Sequence, residues 1–227
     1  MQLENVTITG RAEAKRRYDD ACAAAHGMDL IGERWSMPLI RELLLGPRRF
    51  SDLRTSLGGI SANVLTQRLE GLEDAGVLIR RKLPPPASVQ VYELTPWGYE
   101  SAPIFQALGR WAVRSPHHDP TKPFSPVSLM LSLRTMFSDA AAGDLKARIQ
   151  LIMRGEAFFW IRKKGAISIG RGVIEDPDLT IIGSPSDIAG YVYVGAPLTT
   201  LGVEGDLKLA RRLPSYFPMP AKALGPA

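Results

Sequence analysis

Cysteine and histidine are scarce in this chain of 227 residues, which contains one cysteine and three histidines. A single cysteine cannot form an intramolecular disulfide or a cysteine-rich zinc module, and the histidines have no metal-ligand spacing. Nucleophile elbows, phosphate-binding glycine loops and paired metal-ligand motifs are missing as well. We therefore expect no cofactor and no enzyme activity.

Long apolar runs are also missing. None approaches the roughly 20 residues that a membrane span requires, and the opening segment MQLENVTITGRAEAKRR has no signal-peptide core. The expectation is a cytoplasmic protein with no membrane association. The net charge of +5 fits nucleic-acid binding, but it also fits many ordinary basic proteins.

Proline is concentrated in the segment SPHHDPTKPFSP, which ends at Pro126. Such spacing prevents a continuous helix and favours extended backbone, as in a linker. We predict an α+β protein whose two domains meet near residue 120. Its predicted parts are an N-terminal domain at 1–115, a linker at 116–126, a C-terminal domain at 127–217 and a tail at 218–227.

Helical patterns occupy the start of the N-terminal domain. The alanine-rich segment 12–26 predicts one helix of high intrinsic propensity. Apolar residues recurring at threes and fours from Leu30 to Leu44 predict a second helix, which Gly46 and Pro47 end.

A helix-turn-helix pattern follows. Ser51, behind the hydrophobic Phe50, has the character of an N-cap, and the Gly58-Gly59 turn separates this helix from another that Ser61 is placed to cap. The predicted buried side of the second helix comprises Leu65, Leu69 and Leu72.

Polar residues occupy the other side of that second helix. Asn63, Thr66 and Gln67 are the predicted base readers, because Asn and Gln can bond two adenine edge atoms at once. Glu70 and Asp74 mark the end of DNA contact, since phosphate repels carboxylates. Taken singly, each reader is equally compatible with a solvated helix face.

A basic hairpin completes the pattern. The alternating segments 77–83 and 89–95 predict two strands, with cations beside the turn that suit phosphate contacts. Arg68 lies beside the core stripe, where bracing the fold is the alternative. The predicted DNA contacts are Arg48, Arg49, Ser61, Asn63, Thr66, Gln67, Arg68, Arg80, Arg81 and Lys82.

Several motifs together resemble HxlR-type transcriptional regulators over roughly residues 20–113. They are DLIGERW from Asp29, LIREL from Leu39, RFSDL from Arg49, GIS from Gly59 and VLTQRL from Val64. The resemblance implies a winged helix-turn-helix homodimer that binds double-stranded DNA. It also implies that outer helices at 12–25 and 97–113 join the subunits, the latter through Ile104, Leu108 and Trp111.

The chain departs from that family at two positions. Alanine follows Cys22 where the family often has proline, and Asn63 replaces a frequent basic residue. Some members sense electrophiles or oxidants through the cysteine, which makes Cys22 a candidate redox switch. We favour the alternative, a small buried structural residue, because free cysteine is commonly buried.

The C-terminal domain combines an apolar helix from Val127 to Phe137 with alternating strand-like runs, which predicts a mainly antiparallel sheet covered on one side. The strings DLTIIGSPSD from Asp178 and VEGD from Val203 resemble sterol carrier protein domains over residues 127–217. That resemblance implies an apolar tunnel for a small hydrophobic ligand. Its candidate lining residues are Met130, Leu133, Met136, Phe137, Phe159, Ile161, Ile169, Tyr191 and Val194, although each alone is also typical of plain core.

Three hypotheses follow. The leading one is a homodimeric transcriptional regulator that responds to a hydrophobic ligand in the C-terminal domain. In the second, that domain is only a dimerisation scaffold, with or without redox sensing at Cys22. The third, an enzyme, has no motif in its favour.

Overall fold

The computed structural model describes residues 18–224. Its N-terminal domain contains six helices and one hairpin within that range. In chain order these are α1 (Ala23–Ile31), α2 (Ser36–Leu43), α3 (Phe50–Ser56), α4 (Ala62–Asp74), β1 (Leu78–Lys82), β2 (Gln90–Leu94), α5 (Pro96–Tyr99) and α6 (Ala102–Ala112).

The centre of this domain confirms the helix-turn-helix and hairpin patterns. The amide of Val64 donates to the Ser61 hydroxyl at 3.3 Å, which caps α4 as predicted. Leucines on one side of α4 are buried, while Gly76 adopts a φ of +72° that reverses the chain into β1. The antiparallel strands β1 and β2 then form the wing.

The C-terminal domain is a five-stranded sheet with helices packed on one face. The sheet order is β5-β4-β3-β6-β7, and only the β3–β6 pair is parallel. Its elements are α7 (Pro126–Met136), α8 (Asp139–Ala142), β3 (Ala147–Met153), β4 (Glu156–Lys163), β5 (Ala166–Arg171), β6 (Leu179–Ile182), α9 (Pro185–Ala189), a π-helical turn (Gly190–Val194), β7 (Gly202–Gly205) and α10 (Leu207–Arg212).

Three predicted helices have different bounds in the structure. The part of the predicted 12–26 helix that is described begins only at Ala23, with residues 12–17 outside the described range. The predicted 30–44 helix is interrupted before α2 by Trp35, which has a φ of +81°. The predicted 97–113 helix is two helices, α5 and α6, because the chain bends at Glu100 and Ser101.

Two of the predicted ligand-lining residues, Phe159 and Ile161 on β4, are on the other face of the sheet from the one that this prediction requires. Phe158 and Trp160 face the helices and are buried, so Phe159 and Ile161 lie on the opposite face of the sheet. These two residues therefore cannot line a cavity between helices and sheet. The run AFFWI is apolar at every position, and period two alone does not decide which face is inside.

The proline-rich segment connects two domains that contact each other. The Ser125 hydroxyl donates to the buried carboxylate of Glu42 at 2.6 Å, and the Arg110 guanidinium donates to the Thr135 carbonyl at 2.9 Å. Residues of the predicted tail return to the N-terminal domain, where the Lys222 ammonium donates to the Val113 carbonyl at 3.0 Å. Both domains are thus joined at α2, α6 and α7.

Candidate nucleic-acid interface

The exposed side of α4 presents the predicted base readers. Asn63, Thr66 and Gln67 are all exposed, and the cap residue Ser61 is exposed at the start of the same helix. Because the leucines on the other side anchor α4 in the core, its polar side is held outward at the N-terminal end. At a helix N-terminus, unpaired backbone amides and the positive end of the helix dipole favour the binding of phosphate.

Two of the predicted cations are paired with carboxylates near the wing. The guanidinium of Arg80 lies 3.4 Å from Glu73, and Arg81 pairs with Glu93 across the hairpin. The hydrogen bond that Arg81 donates to the Glu93 carboxylate raises the pKa of the guanidinium, so its positive charge is retained at all relevant pH values. Phosphate must compete with these carboxylates for both arginines.

Lys82 and Arg49 are the least constrained of the predicted phosphate contacts. Both are exposed, and neither forms an ion pair within residues 18–224. Arg68 instead pairs with Glu33 at 3.1 Å, which fits the alternative of bracing α4 against the turn between α1 and α2.

Arg48 lies in the domain junction, contrary to its predicted place at DNA. Its backbone bridges to Tyr92 of β2. Its side chain is only 13% exposed, and the guanidinium donates to the Glu156 carboxylate at 2.9 and 3.3 Å. Arg171 donates to the same carboxylate at 2.6 Å. The sequence alone could not separate Arg48 from Arg49, because the partner, Glu156, is distant in sequence.

Sequence reasoning also left out several polar side chains at or near the candidate sites. Arg54 on α3 is an exposed cation that was not among the predicted DNA contacts, although its charge could have suggested it. The buried Glu42 sits within an apolar helix stripe, which is the sequence signal of a specific partner. Ser132 and Tyr193, whose hydroxyls lie 2.8 Å apart, carried no such signal.

Large apolar side chains are exposed along the predicted subunit-joining helix. Ile104 and Leu108 are nearly half exposed, and Trp111 is 74% exposed on α6. Met28 of α1 and Trp97 of α5 add exposed apolar area in the same domain. Ile104, Leu108 and Trp111 recur at helical spacing, and an exposed apolar stripe of this kind marks interaction sites.

Cys22 is exposed, so the predicted buried position is wrong. It is the N-cap residue of α1, where the backbone amides of Ala25 and Ala24 lower the pKa of its thiol. Amides at a helix N-terminus stabilise a thiolate in this way.

The predicted ligand-lining residues do not surround one common space. Met130, Leu133, Phe137 and Tyr191 are buried in the core, and Ile169 packs against its margin. Met136 and Val194 instead line a cavity of about 320 Å³ between α6, α7 and the π-helical turn.

Within residues 18–224, no group of three or more His, Cys, Asp or Glu side chains is arranged to hold a metal ion. Over the same part of the chain, no helix is long and apolar enough to cross a membrane.

Comparison with known proteins places this interface in a family. The family model described as "HxlR-like helix-turn-helix" matches residues 30–119. The regulator YvaP of Bacillus subtilis is 36% identical over 86 residues, which cover 37% of this chain and 79% of YvaP. The chain belongs to the HxlR family of helix-turn-helix transcriptional regulators.

Other helix-turn-helix transcriptional regulators are also similar to part of this chain. YodB of Bacillus subtilis is 34% identical over 37% of this chain and 74% of its own length, and YtfH of Escherichia coli is 29% identical over 48% and 86%. The reduced form of YodB is a solved structure that covers 43% of this chain and 98% of that chain, at 30% identity and a TM-score of 0.40. The protein is accordingly a DNA-binding transcriptional regulator, and its C-terminal domain lies beyond the family match.

Proposed function

We propose that this HxlR-family regulator binds DNA as a homodimer, with the N-terminal part of α4 in the major groove and the wing along the phosphate backbone. The main observation in favour of the proposal is the distribution of polar and acidic side chains along the exposed side of α4. Its exposed N-terminal side has Asn63, Thr66 and Gln67, and carboxylates appear only beyond them. Amide side chains in this position can hydrogen-bond base edges, whereas Glu70 and Asp74 would repel phosphate.

The exposed apolar residues of α6 support the homodimer. A two-fold interface uses the same patch on both subunits, and Ile104, Leu108 and Trp111 provide such a patch on one helix. Pairing α6 with its copy would set the distance between two α4 helices. That distance must match two half-sites on one face of the duplex.

The C-terminal domain is proposed to make DNA binding respond to a small hydrophobic ligand. Its one-sided, five-stranded sheet supports the likeness to sterol carrier protein domains. A ligand changes DNA affinity only if its own affinity differs between the DNA-binding arrangement of the two subunits and another arrangement.

In the second candidate function, the C-terminal domain serves only as a scaffold. The ion pair between Arg48 and Glu156 favours this role, because it fixes that domain to the N-terminal one. Thiol chemistry at the exposed Cys22 is a further input to the same regulator.

The test of DNA binding is fluorescence anisotropy with a duplex from the region upstream of the protein's own gene and a scrambled duplex as competitor. We expect selective binding that Gln67→Ala weakens about tenfold, in line with one bidentate base contact. Glu70→Gln, one turn further along α4, is the control and should bind as tightly as the unchanged protein or more tightly. Equal affinity for both duplexes would overturn the proposal.

A further inference from the structure

The cavity at the domain junction has the dimensions of a ligand site. Its volume is about 320 Å³, which lies within the range of pockets for small organic molecules. One wall is α6 of the DNA-binding domain, with Phe105, Gly109 and Ala112. The opposite wall is α7 and the π-helical turn, with Leu131 and Met136. Because most of this lining is carbon, the cavity favours an apolar molecule.

A pair of hydroxyl groups is one polar feature of this cavity, which Gln106, His118, Ser128 and Thr135 also line. The oxygens of Ser132 on α7 and Tyr193 on the π-helical turn lie 2.8 Å apart, and both residues line the cavity. Burial raises the pKa of the Tyr193 hydroxyl, so this group stays protonated and neutral. The two groups have two hydrogens but share one hydrogen bond, and one O–H donor is left for a ligand acceptor.

The charge at the cavity wall is already compensated. Arg41 reaches the lining, but its guanidinium donates two hydrogen bonds, of 3.1 and 2.9 Å, to the Glu42 carboxylate. An anionic ligand would have to compete with that carboxylate for the guanidinium. A neutral ligand needs no such exchange, and burying it costs less than burying an unpaired charge.

We propose that this junction cavity binds a neutral organic molecule of one or two rings, with its oxygen acceptor directed at the Ser132 and Tyr193 hydroxyls. The site differs from a tunnel inside the C-terminal domain, because α6 forms one wall. The same helix carries the exposed Leu108 and Trp111 on an adjacent side. A ligand that fills the cavity therefore fixes how α6 sits on α7. Its role as effector rests on the proposed homodimeric regulator, whereas binding itself does not.

The test uses a neutral two-ring ketone, 6-propionyl-2-(dimethylamino)naphthalene, whose emission shifts to the blue in apolar surroundings. The probe is titrated into the full chain without DNA. We expect saturable binding, which Ala112→Leu weakens at least tenfold by filling the cavity. Tyr193→Phe preserves the shape but removes a donor, and it should weaken binding roughly 3- to 10-fold.

The matched control is Ala107→Leu, the same change at an exposed α6 position that lines a different groove. It should leave probe affinity within twofold of the unchanged protein. The proposal is overturned if no saturable blue shift occurs, or if Tyr193→Phe and a folded Ala112→Leu both bind as the unchanged protein does. Thermal unfolding followed by circular dichroism shows whether each variant is folded, and Tyr193→Phe decides alone if Ala112→Leu is not. DNA binding is measured separately, so a failed cavity leaves the proposed DNA function standing.

Discussion

The hydroxyl of Ser125 donates a hydrogen bond of 2.6 Å to the carboxylate of Glu42, which has no exposed surface. Ser125 is the N-cap of α7, and Glu42 belongs to α2 in the core of the DNA-binding domain. A hydrogen bond to a charged, buried group is stronger than one between neutral groups. The contact therefore ties the first turn of the C-terminal domain to the helix that supports α4.

Removal of this contact should cost more stability than removal of an ordinary cap. Ser125→Ala deletes both the cap of α7 and the bond to Glu42, so we expect the free energy of unfolding to fall by about 2–3 kcal/mol. Ser184→Ala is the matched control, because Ser184 caps α9 without touching the N-terminal domain. It should cost about 1 kcal/mol. Urea denaturation checks both values, and equal losses would show that the Glu42 bond adds nothing.

Salt dependence of DNA affinity separates the cations of the interface from the cation of the junction. Lys82→Ala and Arg49→Ala should each lower the slope of log affinity against log salt by about 1, because each removes one phosphate contact. Arg48→Gln should leave that slope unchanged, since its guanidinium is held by Glu156. Anisotropy titrations at several salt concentrations measure the slopes. A slope altered by Arg48→Gln, but not by Lys82→Ala, would reverse this assignment.

The winged helix was predictable because its signals are local. Ser61 caps α4, and Leu65 and Leu69 repeat at helical spacing, so sequence neighbours alone determine what they do. Arg48 and Glu156 could not be paired in this way, because 108 positions separate them and only the assembled fold brings them together. The exposed position of Cys22 was missed because the prediction used the average burial of free cysteines. The surroundings of this particular cysteine depend on where α1 begins.

Strand direction shows a second limit of sequence reasoning. The β3 pattern has one clearly apolar side, which the structure buries, whereas every residue from Ala157 to Ile161 is apolar. Hydrophobicity could not decide between Phe158 and Phe159 as the inward side chain. The pairing of Phe158 with Leu151 of β3 decides it.

The α6 surface should control the oligomeric state. Trp111→Ser removes the largest exposed side chain of that helix, so we expect the dissociation constant of the dimer to rise at least tenfold. Val173→Ser is the control, because Val173 is 82% exposed in the C-terminal domain and away from α6. Sedimentation velocity across a concentration series measures both. If the two substitutions have the same effect, α6 is not the interface.

Cys22 should react faster than an ordinary thiol. The backbone amides of Ala25 and Ala24 at the start of α1 lower its pKa, so a larger fraction is thiolate near neutral pH. We expect alkylation by iodoacetamide at pH 7.5 to be roughly threefold faster than that of an unstructured cysteine peptide. The advantage should vanish above the peptide's own pKa, where both thiols are ionised. Mass spectrometry follows the reaction, and equal rates at pH 7.5 would show an unactivated thiol.

The most direct test of the central claim is a hydroxyl-radical footprint of the full chain on DNA from upstream of its own gene. A homodimer that inserts two α4 helices should protect two half-sites on one face of the duplex, with centres about 10 base pairs or a multiple of that apart. Asn63→Ala combined with Gln67→Ala should remove this protection at the same protein concentration. Protection of a single site, uniform protection along the duplex, or a pattern unchanged by the double substitution would contradict the account.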